Sequence, residues 1–360
     1  MKIAIICRRY YSEMGGIETH VQEIAERLAK RHEVLVFTLV SGNGQTCNEI
    51  INGVNVRRFK PIRLSYSLEF PRGSMLREIE RFQPDVLHAH GIHTIIPFFA
   101  SRVNSNSKLV ITPHYLGKST TLFRKFLFFA YKPLLNVALS KSDRIICSTS
   151  TEKNMLNRSF NVDNMKIRMI PNGVGTDLAK IVPKRDGMRI LSVARLDLYH
   201  KKTDKLIRAF KLIESKINAK LVLVGDGPDR KEIMKLINSL GLSEKIEVKS
   251  NLTRDQLVQE YANATVFVTA SEIENFGIAV AEALAAKLKV VVPNSTALSL
   301  FVDAGHALGM EMPITIEKIA EAMMTCLQDN NKFLEYSPYT WDMAAEELHK
   351  LYEELSAKDC

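Results

Sequence analysis

Short runs of β-branched residues alternate with segments of helical periodicity along the chain, and this pattern limits the fold more than any other feature. KIAIIC (2–7) is followed by IETHVQEIAERLAKR (17–31), whose apolar residues recur at helical spacing. Further strands are predicted at 34–39, 85–90, 108–112, 144–148 and 166–170. Strands joined by crossover helices pair in parallel, so the pattern predicts an α/β fold with doubly wound parallel sheets.

The alternation stops and then restarts, which predicts two domains. Turn residues interrupt it at PNGVGTD (171–177), and IVPKRDGM (181–188) has the composition of a linker. The second set of strands is predicted at 189–194, 220–225, 245–250, 265–270 and 289–293, with helices at 204–214, 229–240, 254–263, 277–287 and 316–329. We predict an N-terminal domain over 1–180, a C-terminal domain over 181–338 and a last helix within 339–360 that packs back on the N-terminal domain.

The charge balance indicates the kind of partner. The net charge of +9 favours anionic partners, such as nucleotide phosphates or an acidic membrane surface. The basic residues are spread along the chain rather than concentrated in one arm, which argues against nucleic acid. Doubly wound domains bind ligands at the carboxyl ends of their strands, so two facing domains would form a cleft between those ends.

Cysteine usage and the apolar segments predict a cytoplasmic protein. The five cysteines are odd in number, far apart and without metal or redox spacing, which favours reduced thiols. The apolar run of MKIAIIC is too short for a signal peptide. The stretch 122–139 is interrupted by charged residues and Pro133, so we do not expect it to span a bilayer.

One basic cluster, VARLDLYHKKTDKLIRAF (193–210), suits an anionic ligand. Arg195 follows a predicted strand, and Lys201 and Lys202 precede a helix. Cations at strand ends fit a diphosphate, and a solvated basic loop is the alternative. The glycine-rich turn VGDGPDRKEI (224–233) could hold a phosphate at a helix N-terminus, but ordinary turn formation explains it equally well.

Histidines follow two neighbouring predicted strands. HAHGIH contains His88, His90 and His93, and TPHY adds His114. One interpretation of His88, His90 and His93 is a metal site. The favoured interpretation is that one of these histidines contacts a bound ligand. Neighbouring parallel strand ends converge, so we expect His90 and His114 to lie together. The chain contains no Asp-x-Asp, no Gly-x-Ser-x-Gly and no Walker A sequence.

Two glutamates stand out in ASEIENFGIAVAEALAAKLKVVVP (270–293). Glu282 is the one charge in a predicted apolar helix from Gly277 to Ala286, and Glu274 precedes it in a predicted loop. Burial of an unpaired carboxylate is costly, so Glu282 requires a partner.

Taken together, these segments resemble the retaining glycosyltransferases of family 4, which have the GT-B fold of two facing Rossmann-like domains. The most specific match is the Glu-x7-Glu spacing of Glu274 and Glu282. Supporting matches are the Gly15-Gly16 loop, DVLHAH, TPHY, PNGV, Arg195 with Lys201, and VGDGP. The resemblance runs from MGGIETHV (14–21) to TWDMAAEELHKLYEEL (340–355).

The resemblance implies roles for the matched residues. Arg195 and Lys201 would bind the diphosphate of the donor, and Glu274 would bind the sugar hydroxyls. Glu282 would bind the ribose, whose hydroxyls would be the partners that this carboxylate otherwise lacks. The catalytic set that it implies is Arg195, Lys201, His114 and Glu274. The donor-binding set is Gly15, Gly16, Arg195, Lys201, Lys202, Gly225, Lys249, Asn251, Leu252, Glu274, Asn275, Phe276, Gly277, Ile278 and Glu282. The acceptor-side set is His90, Tyr115 and Asn172.

The activity implied is retaining, metal-independent transfer from a UDP- or GDP-sugar to a glycan or a lipid-linked acceptor, with no cofactor. The alternatives are a degenerate GT-B protein that binds a nucleotide sugar or a partner without catalysis, and a phosphorylase of the same fold. A Rossmann dehydrogenase or epimerase has less support because no GxGxxG follows the first strand.

The sequence departs from the family pattern after the second glutamate. Lys287 replaces a glycine, Lys289 replaces a proline, and Ser295 and Thr296 lie near the positions of two glycines in the next loop. These changes favour the non-catalytic alternative. Lys202 also occupies a glycine position and could replace Lys201 if that residue points away.

Aromatic and basic residues in the N-terminal half allow two interpretations. Phenylalanines alternate with lysine and arginine over 122–139, and further cations lie in VRRFKPIRL (56–64). These residues form either a surface that binds acidic membranes, at the inner face of a membrane, or a buried helix whose cations extend to water.

Overall fold

Two separate sheets organise the chain in the computed structural model, which describes residues 1–13, 15–42, 44–65, 68–117, 122–184, 187–328 and 333–357. The side chains of 64, 65, 68 and 122–127 are not described. One unit comprises Met1–Asn172 together with the C-terminal segment from Trp341, and the other comprises Gly173–Thr340.

The first unit contains an eight-stranded sheet in the order β10-β9-β8-β7-β1-β2-β4-β3. Its strands are β1 (Lys2–Ile6), β2 (Glu33–Leu39), β3 (Cys47–Ile51), β4 (Val54–Phe59), β7 (Val86–His90), β8 (Lys108–Thr112), β9 (Arg144–Cys147) and β10 (Ile167–Met169). Only β3 runs antiparallel to its neighbour among these described strands. A separate hairpin pairs β5 (Ile62–Ser65) with β6 (Leu68–Phe70). The helices are α1 (Gly16–Leu28), α2 (Gly73–Phe82), α3 (Ile96–Ala100), α4 (Leu122–Lys141), α5 (Ser150–Ser159) and α13 (Trp341–Ser356).

The second unit contains a six-stranded parallel sheet in the order β13-β12-β11-β14-β15-β16. The strands are β11 (Met188–Val193), β12 (Ala219–Val224), β13 (Ile246–Lys249), β14 (Val266–Val268), β15 (Lys289–Pro293) and β16 (Leu308–Met310). The helices are α6 (Thr176–Ala179), α7 (Thr203–Ile213), α8 (Arg230–Ser239), α9 (Arg254–Asn263), α10 (Ile278–Ala285), α11 (Ser299–Asp303) and α12 (Ile316–Gln328). Both faces of this sheet are buried, since Leu221 and Leu223 pack in one apolar cluster while Val222 and Val224 pack in another.

The boundary between the units lies between Asn172 and Gly173, upstream of the predicted boundary after residue 180. Val174 donates a backbone hydrogen bond to Tyr339 (2.9 Å), and Leu178 is buried in a core cluster of the second unit. These contacts attach the segment that follows Asn172 to the second sheet.

The last helix, α13, packs against α1 in the first unit. Two arginines of α1 form ion pairs with it, Arg27 with Asp342 (2.7 Å) and Arg31 with Glu346 (2.7 Å). Its apolar face is buried, with Trp341 and Tyr352 almost fully inaccessible. The C-terminal helix therefore completes the layer of helices over the sheet of the first unit.

Four described cysteines, Cys7, Cys47, Cys147 and Cys326, are free thiols, as the sequence predicts. Cys360 lies outside the described residues. Among the described helices, none combines the length and the apolar character that are needed to cross a membrane.

Helix α10 ends in a hydrogen-bonded turn in which Lys287 takes a left-handed backbone conformation (φ +58°). The amide of Leu288 donates to Ala283 (3.0 Å) and the amide of Lys287 donates to Leu284 (2.9 Å), which is the Schellman pattern. Lys287 thus occupies a position at which glycine is favoured, and where the family pattern has one.

Replacing Lys287 by glycine is expected to raise the free energy of unfolding by about 0.5–1 kcal/mol, because the left-handed conformation is strained for a residue with a Cβ atom. Urea unfolding followed by circular dichroism measures the change. Lys287→Ala is the matched control: it keeps the Cβ and should give no gain. Equal stabilisation by alanine and glycine would contradict this explanation.

Candidate functional site

Lys201 and Glu274 form an ion pair at the carboxyl edge of the second sheet. Lys201 lies between β11 and α7, and Glu274 lies between β14 and α10. β11 and β14 are parallel neighbours, so the loops that follow them lie side by side. The Lys202 ammonium instead lies 5.1 Å from the centre of the Tyr199 ring. Lys201, rather than Lys202, therefore faces the first glutamate of the Glu-x7-Glu pair.

Arg195 lies two residues beyond β11 and is exposed. It forms no hydrogen bond or ion pair with any residue that the structure describes. Its planar group of five donors is consequently open to an anionic ligand. This placement agrees with the diphosphate role that the family resemblance implies.

The glycine-rich turn after β12 is required by close packing of two backbones. A Cβ atom on Gly225 would lie 2.0 Å from the carbonyl oxygen of Ala194, and one on Gly227 would lie 2.2 Å from that of Leu196. The backbone of Gly225 also has a φ of +148°, which side chains disfavour. Both glycines therefore let this turn support the loop that carries Arg195.

The N-terminus of α10 points donors toward the same edge. Gly277 precedes the helix with a φ of +89°, and a Cβ atom there would lie 2.6 Å from Leu298. No described side chain caps this end, and the amide of Val280 already donates to Gly277 (2.9 Å), so the amides of Ile278 and Ala279 retain their donor capacity. Asn275, Phe276 and Ile278, which the resemblance places at the donor, are half-buried around it. A helix N-terminus of this kind favours negative charge.

The loop that departs from the family pattern holds Glu274 in place. The backbone amide of Glu274 donates to the Thr296 hydroxyl (3.1 Å), and the Ser295 hydroxyl donates to the carbonyl of Glu272 (2.7 Å). Lys289 donates to the carbonyl of Cys326 (3.0 Å), in the last turn of α12, where a cation is favourable. The altered residues thus take structural roles of their own.

Glu282 has partners within the protein, which corrects the expectation that only ribose hydroxyls would supply them. Its two carboxylate oxygens accept hydrogen bonds from Arg254 Nη1 (2.7 Å) and from the Tyr261 hydroxyl (3.0 Å). Arg254 also binds Asp177 through Nε (2.8 Å) and Nη2 (2.9 Å). One guanidinium therefore joins two carboxylates, and the buried charge of Glu282 is compensated.

These contacts shift the pKa values of the partners. Burial favours the neutral acid of Asp177, but the hydrogen bonds from Arg254 outweigh burial and hold the pKa below its usual value. Burial, with the adjacent Glu282 charge, holds the pKa of Tyr261 well above its usual range. Tyr261 therefore remains a hydrogen-bond donor at neutral pH.

Three residues of the predicted donor-binding set, Lys249, Asn251 and Leu252, lie at and just after the end of β13. Burial opposes the charge of Lys249, but Glu260 (2.7 Å) and Glu247 (3.2 Å) outweigh that effect and raise the pKa of the ammonium. Asn251 is exposed with a φ of +54°, and Leu252 packs against the core. The ammonium of Lys249 is thus used in ion pairs with Glu247 of the same strand and with Glu260 of α9.

In the first unit, His90 and His114 lie together as predicted, with His90 Nδ1 3.3 Å from His114 Nε2. The alternative of a metal site made by His88, His90 and His93 is not supported, because His88 and His93 have other partners. His88 is bonded at both ring nitrogens, to the Tyr352 hydroxyl (2.6 Å) and to Thr112 (2.7 Å), and His93 bonds to the carbonyl of His114 (3.0 Å). The third member of the cluster is His20 of α1, whose ring centre is 5.0 Å from that of His114.

Burial keeps these imidazoles neutral. It lowers the pKa of His20 to about 4, against a smaller opposing effect of the Asn172 hydrogen bond. Burial, reinforced by neighbouring histidines, also holds the pKa of His90 and of His114 well below the usual value. At neutral pH each ring therefore offers one donor and one acceptor nitrogen.

The remaining acceptor-side residues are mostly buried. The Tyr115 ring packs in the core, and its hydroxyl donates to Ser159 (2.9 Å). Asn172 Oδ1 lies 2.8 Å from His20 Nδ1. Gly15 and Gly16 begin α1, where no described side chain forms a capping bond. The structure thus assigns Tyr115 to the core and Asn172 to the histidine cluster.

The aromatic and basic stretch forms helix α4, in which one described phenylalanine packs against other rings and another is exposed. Phe128 packs with Tyr115 and Phe160, whereas Phe129 is 77% exposed. The Lys132 ammonium lies over the Phe160 ring (5.7 Å), and the earlier side chains of the stretch lie outside those described. The cations of 56–64 are largely paired, Arg57 with Glu78, Arg58 with Glu49 and Arg63 with Glu69.

Sequence reasoning missed four residues of these sites. His20 falls on the apolar face of α1 with Val21 and Ile24, so a polar residue on that face was the available signal. Arg254, Asp177 and Tyr261 carry no such signal. Arg254 and Tyr261 bind Glu282, and Asp177 binds Arg254, so each contact joins residues that are distant in sequence and meet only through the fold.

Two family models match the chain. The model of Glycosyltransferase Family 4 matches residues 14–178, and that of Glycosyl transferases group 1 matches residues 176–350. Together they cover both units of the structure.

Curated relatives extend over most of the chain. An uncharacterized glycosyltransferase of Methanocaldococcus jannaschii is 29% identical and covers 98% of each chain. The matching human protein, which belongs to phosphatidylinositol N-acetylglucosaminyltransferase, is 24% identical over 99% of this chain and 76% of its own. GDP-mannose:cellobiosyl-diphosphopolyprenol alpha-mannosyltransferase of Komagataeibacter xylinus is 23% identical over 99% of this chain and 93% of its own.

Solved structures share the fold. Sucrose-phosphate synthase of Thermosynechococcus elongatus superimposes with a TM-score of 0.77 at 20% identity, over 99% of both chains. HepE of Anabaena, solved in complex with UDP and glucose, gives a TM-score of 0.73 at 18% identity, over 99% of this chain and 98% of its own. The protein is therefore a glycosyltransferase of family 4 with the GT-B fold.

Proposed function

We propose that this glycosyltransferase transfers a sugar from a nucleotide diphosphate sugar, with retention of configuration and without a metal ion on the diphosphate. The observation that carries the proposal is the grouping at one sheet edge of the Lys201–Glu274 pair and the exposed Arg195. The uncapped N-terminus of α10 adds amide donors to the same edge. Cations, a carboxylate and amides together match a ligand that has both phosphates and hydroxyls.

The proposed chemistry follows from these groups. The bond between the anomeric carbon and the diphosphate oxygen breaks, and a bond to the acceptor oxygen forms on the same face. The acceptor hydroxyl gives its proton to the leaving phosphate. Arg195 and Lys201 stabilise the charge that develops on the diphosphate, a role that divalent metals fill in other enzymes, while Glu274 accepts hydrogen bonds from sugar hydroxyls.

The donor is proposed to be a UDP- or GDP-sugar. The name of the Komagataeibacter relative specifies GDP-mannose, and the Anabaena structure contains UDP and glucose. The acceptor is proposed to be a glycan or a lipid-linked molecule, since the names of the human and Komagataeibacter relatives specify phosphatidylinositol and a diphosphopolyprenol.

A thermal-shift screen over nucleoside diphosphates and their sugars tests the donor. A ligand at about 100 times its dissociation constant should stabilise the protein by roughly 2.7 kcal/mol. The Arg195→Ala variant should lose most of this stabilisation, and excess EDTA should lower neither donor binding nor transfer. The absence of a shift with every UDP- and GDP-sugar, or loss of transfer in EDTA, would contradict the proposal.

The first unit is proposed to contact an acidic membrane surface through α4, on the cytoplasmic side. The support is the exposed Phe129 of α4, a helix that also contains several lysine and arginine residues. Flotation with liposomes should show binding that requires acidic lipid and weakens with salt. Binding that is absent, or unaffected by Phe129→Ser, would refute this contact.

A further inference from the structure

Three buried histidines of the first unit bring ring nitrogens close together, and we propose that they form a binding site for a transition-metal ion such as Zn²⁺. One ring nitrogen from each of His20, His90 and His114 lies within 4.8 Å of those of the other two. His20 comes from α1, His90 ends β7, and His114 follows β8. The sheet topology, rather than a local sequence motif, therefore assembles the cluster.

Two atoms of the cluster lack the partners that burial normally requires. Nε2 of His20 and Nε2 of His90 are both buried without a hydrogen bond to any described residue. Most buried polar atoms are satisfied, so the free lone pair on His20 Nε2 indicates a missing ligand, while His90 Nε2 carries the ring proton when His90 Nδ1 faces the cluster. The lone pair of a neutral imidazole is a frequent metal ligand in proteins.

The surroundings of the cluster suit metal binding. His20 Nδ1 lies 2.8 Å from Asn172 Oδ1, and with Nδ1 as the donor the lone pair of His20 stays on Nε2. His90 Nδ1 and His114 Nε2 are 3.3 Å apart, which matches the separation of about 3.3–3.4 Å between two nitrogen ligands of tetrahedral zinc. Each ring keeps one proton on its other nitrogen, so binding requires no net release of protons.

The ligand chemistry indicates which ion the site prefers. The cluster consists of imidazole groups, which favour zinc, copper, nickel or iron over magnesium or calcium. Three histidines also leave a fourth coordination position open. The site is thus chemically distinct from a magnesium site on a diphosphate. A bound metal would occupy the lone pair of His114 and so compete with the catalytic role that the family resemblance implies for this residue.

Metal binding can be measured directly on the purified full chain. The metal-free protein is dialysed against Zn²⁺ and its content is determined by mass spectrometry, and Co²⁺ is titrated while the visible spectrum is recorded. We expect one metal per chain and an intense tetrahedral Co²⁺ band. His20→Gln and His90→Gln should abolish both signals, and Asn172→Ala should weaken binding about 10–100-fold. His349→Gln, in the half-buried pair of His349 with His32 (3.0 Å) in the same unit, is the matched control and should bind as the wild type does.

X-ray absorption spectroscopy on the zinc-loaded wild type counts the imidazole ligands of the metal without any substitution. It therefore tests the site even if the His20→Gln and His90→Gln variants fail to fold. Three imidazole ligands support the site. Sub-stoichiometric binding, fewer than three imidazoles, loss of metal in His349→Gln, or wild-type binding by folded His20→Gln would each overturn it.

Discussion

Replacing Lys201 or Arg195 by alanine is expected to lower the rate of sugar transfer at least about 100-fold, the usual effect of removing one preorganised donor from a developing negative charge. The loss should fall on kcat as well as on donor affinity, because charge on the diphosphate increases as the glycosyl bond breaks. Steady-state kinetics with the donor identified by thermal shift measures both parameters.

The neighbouring cations provide the controls. Lys202→Ala should lower transfer much less than Lys201→Ala does, because the Lys202 ammonium lies over Tyr199 and not against Glu274. Lys211→Ala, which removes an exposed cation paired with Glu214, should leave transfer unchanged. Circular dichroism should show all four variants folded. Full activity in both Lys201→Ala and Arg195→Ala would refute the roles given to these residues.

Replacing Arg254 by methionine is expected to lower the free energy of unfolding by about 2–3 kcal/mol, because Glu282 would stay buried without its cation. The expected loss is smaller than for a fully buried ion pair, since 37% of the Arg254 side chain is exposed. Urea unfolding measures it. The double variant Arg254→Met, Glu282→Gln should recover more than half of the loss because the uncompensated charge is gone.

The pH dependence of this difference provides a further check. Pairing holds the pKa of Asp177 below its usual value, so this contribution is complete above the ordinary carboxyl pKa of about 4. It is lost as the pH falls through the lower pKa of the folded state. The stability difference between wild type and Arg254→Met should therefore shrink under acid conditions. A constant difference, or no loss in Arg254→Met at pH 7, would contradict the assigned pairing.

The sequence predicts the parts of the fold that rest on local apolar patterns. The apolar runs at 189–194 and 220–225, for example, correspond to β11 and β12. Edge strands are missed for a physical reason: β3 is exposed along most of its length, so it has no apolar run to reveal it. β4 alternates buried residues with polar ones, and its cations are more conspicuous in the sequence than its strand pattern.

The residues of the candidate site can be identified from the sequence where they belong to a single motif. Contacts between residues that are distant in sequence cannot be identified in this way. Glu274, Lys201 and Arg195 belong to recognisable segments, and the structure brings Lys201 onto Glu274. Both partners of Glu282, Arg254 and Tyr261, come from α9, and Arg254 also binds Asp177 of α6. No local pattern links those elements to α10. The altered loop stands out in the sequence by its missing glycines, whereas the hydroxyls of Ser295 and Thr296 supply hydrogen bonds that glycine could not.

The ion pair between Lys201 and Glu274 also bears on the entropy of donor binding. A free lysine side chain carries about 2 kcal/mol of rotamer entropy, which a ligand must overcome when it orders that side chain. Here the carboxylate already restrains the ammonium near the edge of the sheet, so most of that ordering is completed when the protein folds. Under the proposed function, the arriving diphosphate would meet a cation that is already oriented, and the glutamate that orients it would still accept hydrogen bonds from the sugar.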